Sequence, residues 1–258
     1  MNCKICNSKI KEIFKGRILN KYDAAYFHCE NCGFLCTEEP YWLKEAYEDS
    51  MNLSDTGILL RNIALSKYAS VIIYFLFDKK AKFLDYAGGY GIFTRLMRDI
   101  GFDFFWHDPY TKNILAQGFE GTDQEKYELV TSFESFEHFS NPLAELEKLL
   151  KTSKSIFFST GLLINPVPSP DKWWYYGLEH GQHVSFYSLK TLQYIANKYH
   201  LNLYSRGNLH LFTAKKINKF LYKFLTMFSN FGLFLFVKNL INSKTFTDMQ
   251  AIVKKLKK

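Results

Sequence analysis

The sequence predicts an α/β protein with a mostly parallel sheet, an antiparallel last strand, a small N-terminal four-cysteine module and C-terminal helices. Three observations predict it. Cys3/Cys6 and Cys29/Cys32 form two CxxC pairs; apolar runs alternate with helical spacing from Lys82 to Tyr199; and Gly207-Asn208 separates two apolar runs just beyond. Strands alternating with helices build a parallel sheet, and a two-residue turn of this kind adds an antiparallel hairpin to it.

Four cysteines in two CxxC pairs can supply a complete tetrahedral thiolate shell. Residues 1–40, closed by Pro40, are therefore expected to form a module around structural zinc held by Cys3, Cys6, Cys29 and Cys32, with Gly33 serving the second turn. A full shell leaves no position for substrate water, so the metal is expected to be structural. Cys36 reads as a buried thiol and His28 as an ordinary strand residue.

Residues 41–77 read as a helical linker, with Ser54 or Asp55 as the cap of SDTGILLRNIALSKYASVIIYFLF. The catalytic domain is expected over 78–215. Its elements are a strand at 82–86, a helix at 92–100 stopped by Gly101, and strands at 102–107 and 128–132. A helix at 142–150, a strand at 155–160, a helix at 188–199 capped by Ser188, and the hairpin of 201–206 with 209–215 complete it. Residues 216–258 form a basic helical extension.

Between the first strand and helix lies FLDYAGGYGIF, residues 83–93. Gly88, Gly89 and Gly91 let main chain approach a ligand closely, and the helix that follows aims free amides at it. Asp85 ends the strand, and Asp108, in HDPY at the end of the next strand, is placed to accept hydrogen bonds from both hydroxyls of a ribose. A dinucleotide fingerprint would need a glycine at Thr94.

These residues resemble the class I methyltransferases that use S-adenosylmethionine. LDYAGGYG carries the family's acidic residue and glycine motif, with Ala87 in the first glycine position, a substitution acceptable if the backbone there needs no positive φ. By the same resemblance the fold is Rossmann-like and Asp108 binds ribose. In SFESFEHFSNP, Phe133, Glu134, Glu137 and His138 would line the cofactor or the substrate mouth. The CxxC, CxxCG, helix and glycine-turn order is similar to a bacterial group that includes C-methyltransferases of nucleotide-linked deoxysugars. It implies a small-molecule acceptor, a sugar nucleotide or another surface-polysaccharide or secondary-metabolite precursor, with the zinc module on the acceptor side.

Methyl transfer needs alignment of the acceptor and removal of a proton. In WWYYGLEHGQHVSFYS, residues 173–188, His180 and then His183 are the candidate bases, with Glu179 placed to orient one of them. Trp173, Trp174, Tyr175 and Tyr176 would form an aromatic wall or flap, with PVPSP at 166–170 as a stiff hinge.

The formal charge is +8, yet residues 214–258 hold ten lysines and one acid, Asp248, which leaves residues 1–213 at −1. A nearly neutral body argues against a nucleic-acid substrate, since phosphate contacts need basic residues near the site. RNA or protein methylation is the second enzyme class, and a non-catalytic cofactor-binding or zinc interaction scaffold the third. The opening MNCKIC lacks a signal-peptide core and no run reaches 18 apolar residues, so a cytoplasmic location is expected. The Phe- and Lys-rich residues 217–241 are expected to pack on the body or a partner, or to contact a membrane surface.

Overall fold

The computed structural model describes residues 1–48 and 54–257. Residues 49–53 of the expected linker and Lys258 of the extension lie outside the described residues. The chain divides into two compact units, residues 1–53 with 133–148 and 158–214, and residues 54–132 with 149–157 and 215–258.

In chain order the elements begin with β1 (Lys11–Ile18), β2 (Tyr22–His28), β3 (Leu35–Thr37) and the short α1 (Leu43–Ala46). Then come α2 (Ile58–Leu76), β4 (Lys82–Tyr86), α3 (Ile92–Ile100), β5 (Asp103–His107), β6 (Leu129–Phe133), α4 (Pro142–Thr152) and β7 (Ser155–Ser159). The chain continues through β8 (Ser185–Phe186), α5 (Leu189–Lys198), β9 (Asn202–Arg206), β10 (Leu209–Thr213), α6 (Lys219–Phe228), α7 (Phe234–Asn239) and α8 (Thr245–Leu256). The strands form two sheets, ordered β1-β2-β3-β8 and β5-β4-β6-β7-β10-β9.

In the first unit, residues 1–40 hold three antiparallel strands that the sequence reading did not resolve. Its β1–β2 turn places Leu19 and Asn20 at φ 52° and 54°, and Lys21 N–H donates to Ile18 O at 2.9 Å. That is a mirror-image hairpin turn made without glycine, so its usual Asn-Gly signature is missing. The module does not close at Pro40 either. β3 pairs antiparallel with β8, Leu35 opposite Phe186 and Cys36 opposite Ser185, because both strands have apolar faces to bury. Tyr26, Leu35, Trp42, Tyr175, Tyr176, Val184 and Phe186 share one core. Two long-range bonds fix the 177–184 loop to residues 42–46: Trp42 Nε1 donates to Gly181 O and Gln182 Nε2 to Ala46 O, both at 2.8 Å. α5 starts at a reciprocal Ser188–Thr191 capping box, and β9 and β10 form the expected hairpin.

In the second unit β4 pairs in parallel with β5 on one side and β6 on the other. β4 and α3 have the bounds the pattern predicts. α2 starts differently: Gly57 is its N-cap, and Asp55 instead accepts a two-pronged bond from Arg61 at 2.9 and 2.6 Å. The C-terminal extension is helical. Its apolar Lys219–Asn239 stretch is interrupted by Phe231 (φ −109°, ψ 38°) and Gly232 (φ 113°, ψ −31°). By length and composition Ile58–Leu76 and Lys219–Asn239 would each suffice to cross a membrane. α8 is fixed to α3 by Asp248, whose buried carboxylate accepts from Arg98 Nε at 2.7 Å, Arg98 Nη2 at 2.8 Å and Arg95 Nη2 at 2.9 Å.

Candidate active site

The glycine turn leaves the carboxyl end of β4, where the chain crosses through α3 to β5 and later returns to β6 on the other side. Open α/β sheets bind ligands at such a switch point. Asp85 is buried there; Thr94 Oγ1 donates to its Oδ2 at 2.9 Å and Thr131 Oγ1 to its Oδ1 at 3.1 Å. Burial, with a smaller push from Asp108, raises its carboxyl from 3.8 to about 7 in spite of those two hydroxyls. Asp85 therefore braces the turn from beneath.

Each position of the turn is set by its neighbours. A Cβ on Gly88 would stand 2.7 Å from Asp85 Oδ2 and 2.8 Å from Trp106 Cδ1, so only glycine fits. Trp106 Nε1 donates to Gly89 O at 2.8 Å. Gly89, at φ +52°, faces open space, with nothing within 4 Å of where its Cβ would be. Gly91, at φ 85°, is the N-cap of α3. Ala87 is a correction: it sits at φ 57°, in the left-handed region the sequence reading required it to avoid, at a cost of about 1–2 kcal/mol.

Asp108, at the end of β5, ties the turn together. Its Oδ2 accepts from Gly89 N–H at 2.9 Å, and its Oδ1 from Tyr110 and Thr111 N–H at 2.8 and 2.9 Å. A carboxylate offers about four acceptor sites, which leaves room for a ribose hydroxyl. The open Gly89 backbone, the start of α3 and Asp108 thus fit a nucleoside-bearing cofactor.

The remaining expected residues belong to the first unit. Phe133 is half-buried at the end of β6. Glu134, at φ 49°, donates its N–H to Ser159 Oγ at 2.9 Å, and Ser159 Oγ donates to Glu134 Oε1. Glu137 and His138 lie on a single turn of tight helix, and Val184 N–H donates to Glu137 O at 2.8 Å. The Glu137 carboxyl is fully buried. Its Oε2 accepts from Thr160 Oγ1 at 3.0 Å, while Oε1 has no hydrogen-bond partner. Burial, and then Glu134, push it up to about 8.

His183 donates Nδ1–H to Tyr175 O at 2.7 Å, since a carbonyl can only accept, and its Nε2 keeps the lone pair. Burial, then His180, lower His183 to about 3, so it is neutral at physiological pH. His138 Nδ1 is 2.7 Å from the Tyr47 hydroxyl, and its ring stands at 87° to that of His183 with centroids 4.9 Å apart. His180 differs. Its Nδ1 accepts from Gln182 N–H at 3.1 Å and its Nε2 lies against Gly177. Glu179 is exposed, and among the described residues it bonds to neither histidine; backbone groups of Tyr175 and Gln182 orient the rings instead. Tyr47, Thr160 and the Tyr175 carbonyl carried no motif that sequence reasoning could find.

The aromatic wall is not formed as expected. Tyr175 and Tyr176 are buried, Trp173 packs on the same core, and Trp174 alone of the four is exposed, at 82%.

The four expected metal ligands converge: Cys3, Cys6, Cys29 and Cys32 sulfurs lie within 4.8 Å of one another. Cys3 Sγ is 3.5 Å from Cys32 Sγ and Cys6 Sγ 3.4 Å from Cys29 Sγ, and none forms a disulfide. Tetrahedral zinc with bonds of about 2.3 Å places sulfurs about 3.7 Å apart, so the set fits. The two turns match each other. Asn7 (φ 60°) and Gly33 (φ 75°) each follow the second cysteine, and each donates its N–H to the first cysteine's carbonyl, at 2.9 and 2.8 Å. Asn, a residue that tolerates this region, was the overlooked signal. Cys36 stands outside the set, its thiol pushed up to about 12 by burial.

A model of the methyltransferase-domain family matches residues 60–206, more than half of the chain. The chain therefore belongs to the methyltransferase-domain family, the class of S-adenosylmethionine-dependent enzymes that its glycine turn resembles. Among solved structures it is similar to the plantazolicin methyltransferase BpumL in complex with SAH, at 14% identity and TM-score 0.50 over 76% of this chain and 88% of that one. It is also similar to a SAM-dependent methyltransferase from Thermotoga maritima, at 12% identity and TM-score 0.41 over 62% of this chain and 92% of that one. No protein of curated function matches the sequence.

Proposed function

We propose that the chain methylates a small-molecule acceptor in the cytoplasm, with a sugar nucleotide or another surface-polysaccharide or secondary-metabolite precursor preferred. The observation that carries the methyl-transfer part of this reading is the glycine turn at the sheet's switch point, with Gly89 open and Asp108 beside it. S-adenosylmethionine, when bound, supplies an electrophilic methyl group on a sulfonium. Asp108 would accept from one of its ribose hydroxyls, and the Gly89 backbone would make room for it. As the acceptor's bond to the methyl carbon forms and the sulfur's breaks, the acceptor must give up a proton. His183, whose Nε2 keeps its lone pair, is the first candidate for taking this proton. His180, whose nitrogens face backbone, is the weaker candidate.

The four cysteines would hold structural zinc. Around them Thr191 Oγ1 donates to Cys32 O and Lys190 Nζ to Glu30 O, both at 2.9 Å, so the knuckle anchors the start of α5. Together with the β3–β8 pairing, it fixes the chain that follows directly after His183.

The C-terminal extension favours contact with an anionic membrane surface. α6 turns Tyr222 and Leu225 inward yet leaves Phe220, 83% exposed, and Phe224 outside, with Phe231 beyond at 79%. Exposed Lys219, Lys223 and Lys238 accompany them. Apolar side chains among lysines suit an interfacial helix.

Calorimetric titration with S-adenosylhomocysteine tests the central proposal. Wild type is expected to bind. Asp108→Asn, which keeps the shape but weakens acceptance, is expected to lose at least ten-fold, and nucleotide sugars are then screened as acceptors with labelled donor. A wild type that binds no S-adenosylhomocysteine overturns it.

A further inference from the structure

Among the described residues, two side-chain clusters bring together groups able to hold a metal ion. The cysteine knuckle is one; the other is Glu137, His138 and His183, each offering one ligand atom within 4.8 Å of the others. We infer that Glu137, His138 and His183 bind a divalent first-row transition metal, distinct from the ion of the cysteines.

Three features point to a ligand and not to packing. Glu137 is wholly buried, yet Oε1 has no hydrogen-bond partner, and the groups beside the carboxyl, the Thr160 and Tyr175 hydroxyls, are neutral. Buried carboxylates are ordinarily paired or bound to metal, and an orphaned oxygen of this kind is costly to keep. Second, His183 donates Nδ1–H to Tyr175 O, which leaves Nε2 as the ligand atom. Third, the Tyr47 hydroxyl at His138 Nδ1 can accept in the same way. A ligating histidine almost always gives its other N–H to an oxygen, which fixes the tautomer and raises its basicity.

The donor set selects the metal. Two imidazole nitrogens and one carboxylate oxygen suit zinc, iron(II), manganese(II), cobalt(II) or nickel(II), and three protein ligands leave positions open for an acceptor oxygen. His180 is no ligand, because its Nδ1 is taken by Gln182 N–H and its Nε2 abuts Gly177. The inference deepens the methyltransferase proposal and rests on it for the acceptor. The ion would acidify a bound acceptor hydroxyl, whose proton then passes to water, so that His183 serves as ligand and not as base.

The test is metal content and cobalt spectroscopy of the full-length protein. Wild type loaded with Co²⁺ and freed of excess is expected to carry two ions per chain. One shows sulfur-to-metal charge transfer and the other ligand-field bands of a nitrogen and oxygen site. Glu137→Gln and His183→Ala should each keep the sulfur bands and lose the second ion, whereas His180→Ala keeps both. Tyr47→Phe, which spares every ligand, should weaken the second ion 10- to 100-fold. One ion per chain in wild type, with the sulfur bands alone, overturns the inference, as does a second ion that survives Glu137→Gln. S-adenosylhomocysteine binding by the same preparation separates the two proposals: binding without a second ion sinks only the metal, and a second ion without binding sinks only the methyl-transfer reading.

Discussion

Asp85 carries the clearest consequence at the scale of single residues. Its carboxyl titrates from 3.8 when solvated and from about 7 in the fold, where burial outweighs two hydroxyl donors. Between those values the folded chain keeps a proton that the unfolded chain has lost. Stability present below about pH 4 therefore declines as pH rises toward 7 and is level beyond. Urea midpoints measured from pH 4 to 8 should show this decline in wild type and its absence in Asp85→Asn. The glycine turn gives a second contrast. Gly88→Ala forces a Cβ to 2.7 Å from Asp85 Oδ2 and should destabilise by about 1–3 kcal/mol. Ala87→Gly relieves a positive φ and should be neutral or stabilising by up to about 1 kcal/mol, since the gain is offset by glycine's freedom in the unfolded chain. Equal losses in both variants would show that the turn's conformation is not the one described. Asp85, Asp108 and the glycines were legible because a ligand turn leaves a contiguous signature. Thr94, Thr131 and Trp106, which hold them, look like ordinary helix and strand residues until the fold brings them to hydrogen-bond distance.

At the scale of elements, the alternation of apolar runs with helical spacing found α3, α4, α5 and β4 to within a few residues, because each has a strong local period. The N-terminal strands were hidden in a segment whose cysteines dominate its pattern, and β8 is too short to have a period at all. α8 depends on a single acid. Asp248 is the one carboxylate in the basic extension, and it is buried between Arg95 and Arg98. Burial works to raise its carboxyl, and the two guanidiniums overcome that and hold it below its ordinary value. Asp248→Ala takes from buried Arg98 the carboxylate that accepts two of its bonds, leaving it Asp103 and the Phe104 carbonyl, and should cost about 1.5–3 kcal/mol in denaturant titrations. A loss below about 1 kcal/mol would mean that α8 is not seated on α3. The knuckle makes an equivalent claim for the first unit. Removing the zinc proposed for it with a chelator, or Cys29→Ser, should expose residues 1–48 to proteolysis and release the loop around His183, to which β3 and Trp42 are bonded.

For the whole molecule, charge and apolar exposure coincide in one region of the sequence. The extension holds all of the net positive charge and many of the exposed phenylalanines. Each lysine near an anionic surface is worth about 1 kcal/mol, so replacing Lys219, Lys223 and Lys238 by glutamate should weaken vesicle binding by at least roughly 100-fold. Flotation with phosphatidylserine vesicles at low and high salt reads this directly, and equal flotation of wild type and variant would remove the membrane proposal. By itself the sequence determined the family, the alternation of strands and helices that starts at Lys82, the two cysteine pairs and the cofactor turn, since each is written in contiguous residues or fixed spacings. Only the tertiary structure decided that the knuckle's sheet borrows a strand from residues 185–186, that Trp173, Tyr175 and Tyr176 join the core while Trp174 stays exposed, and that Glu137, His138 and His183 meet. Those are contacts between segments about 45 to 150 residues apart, and no local period or motif encodes the burial of an unpaired carboxylate oxygen beside two imidazoles.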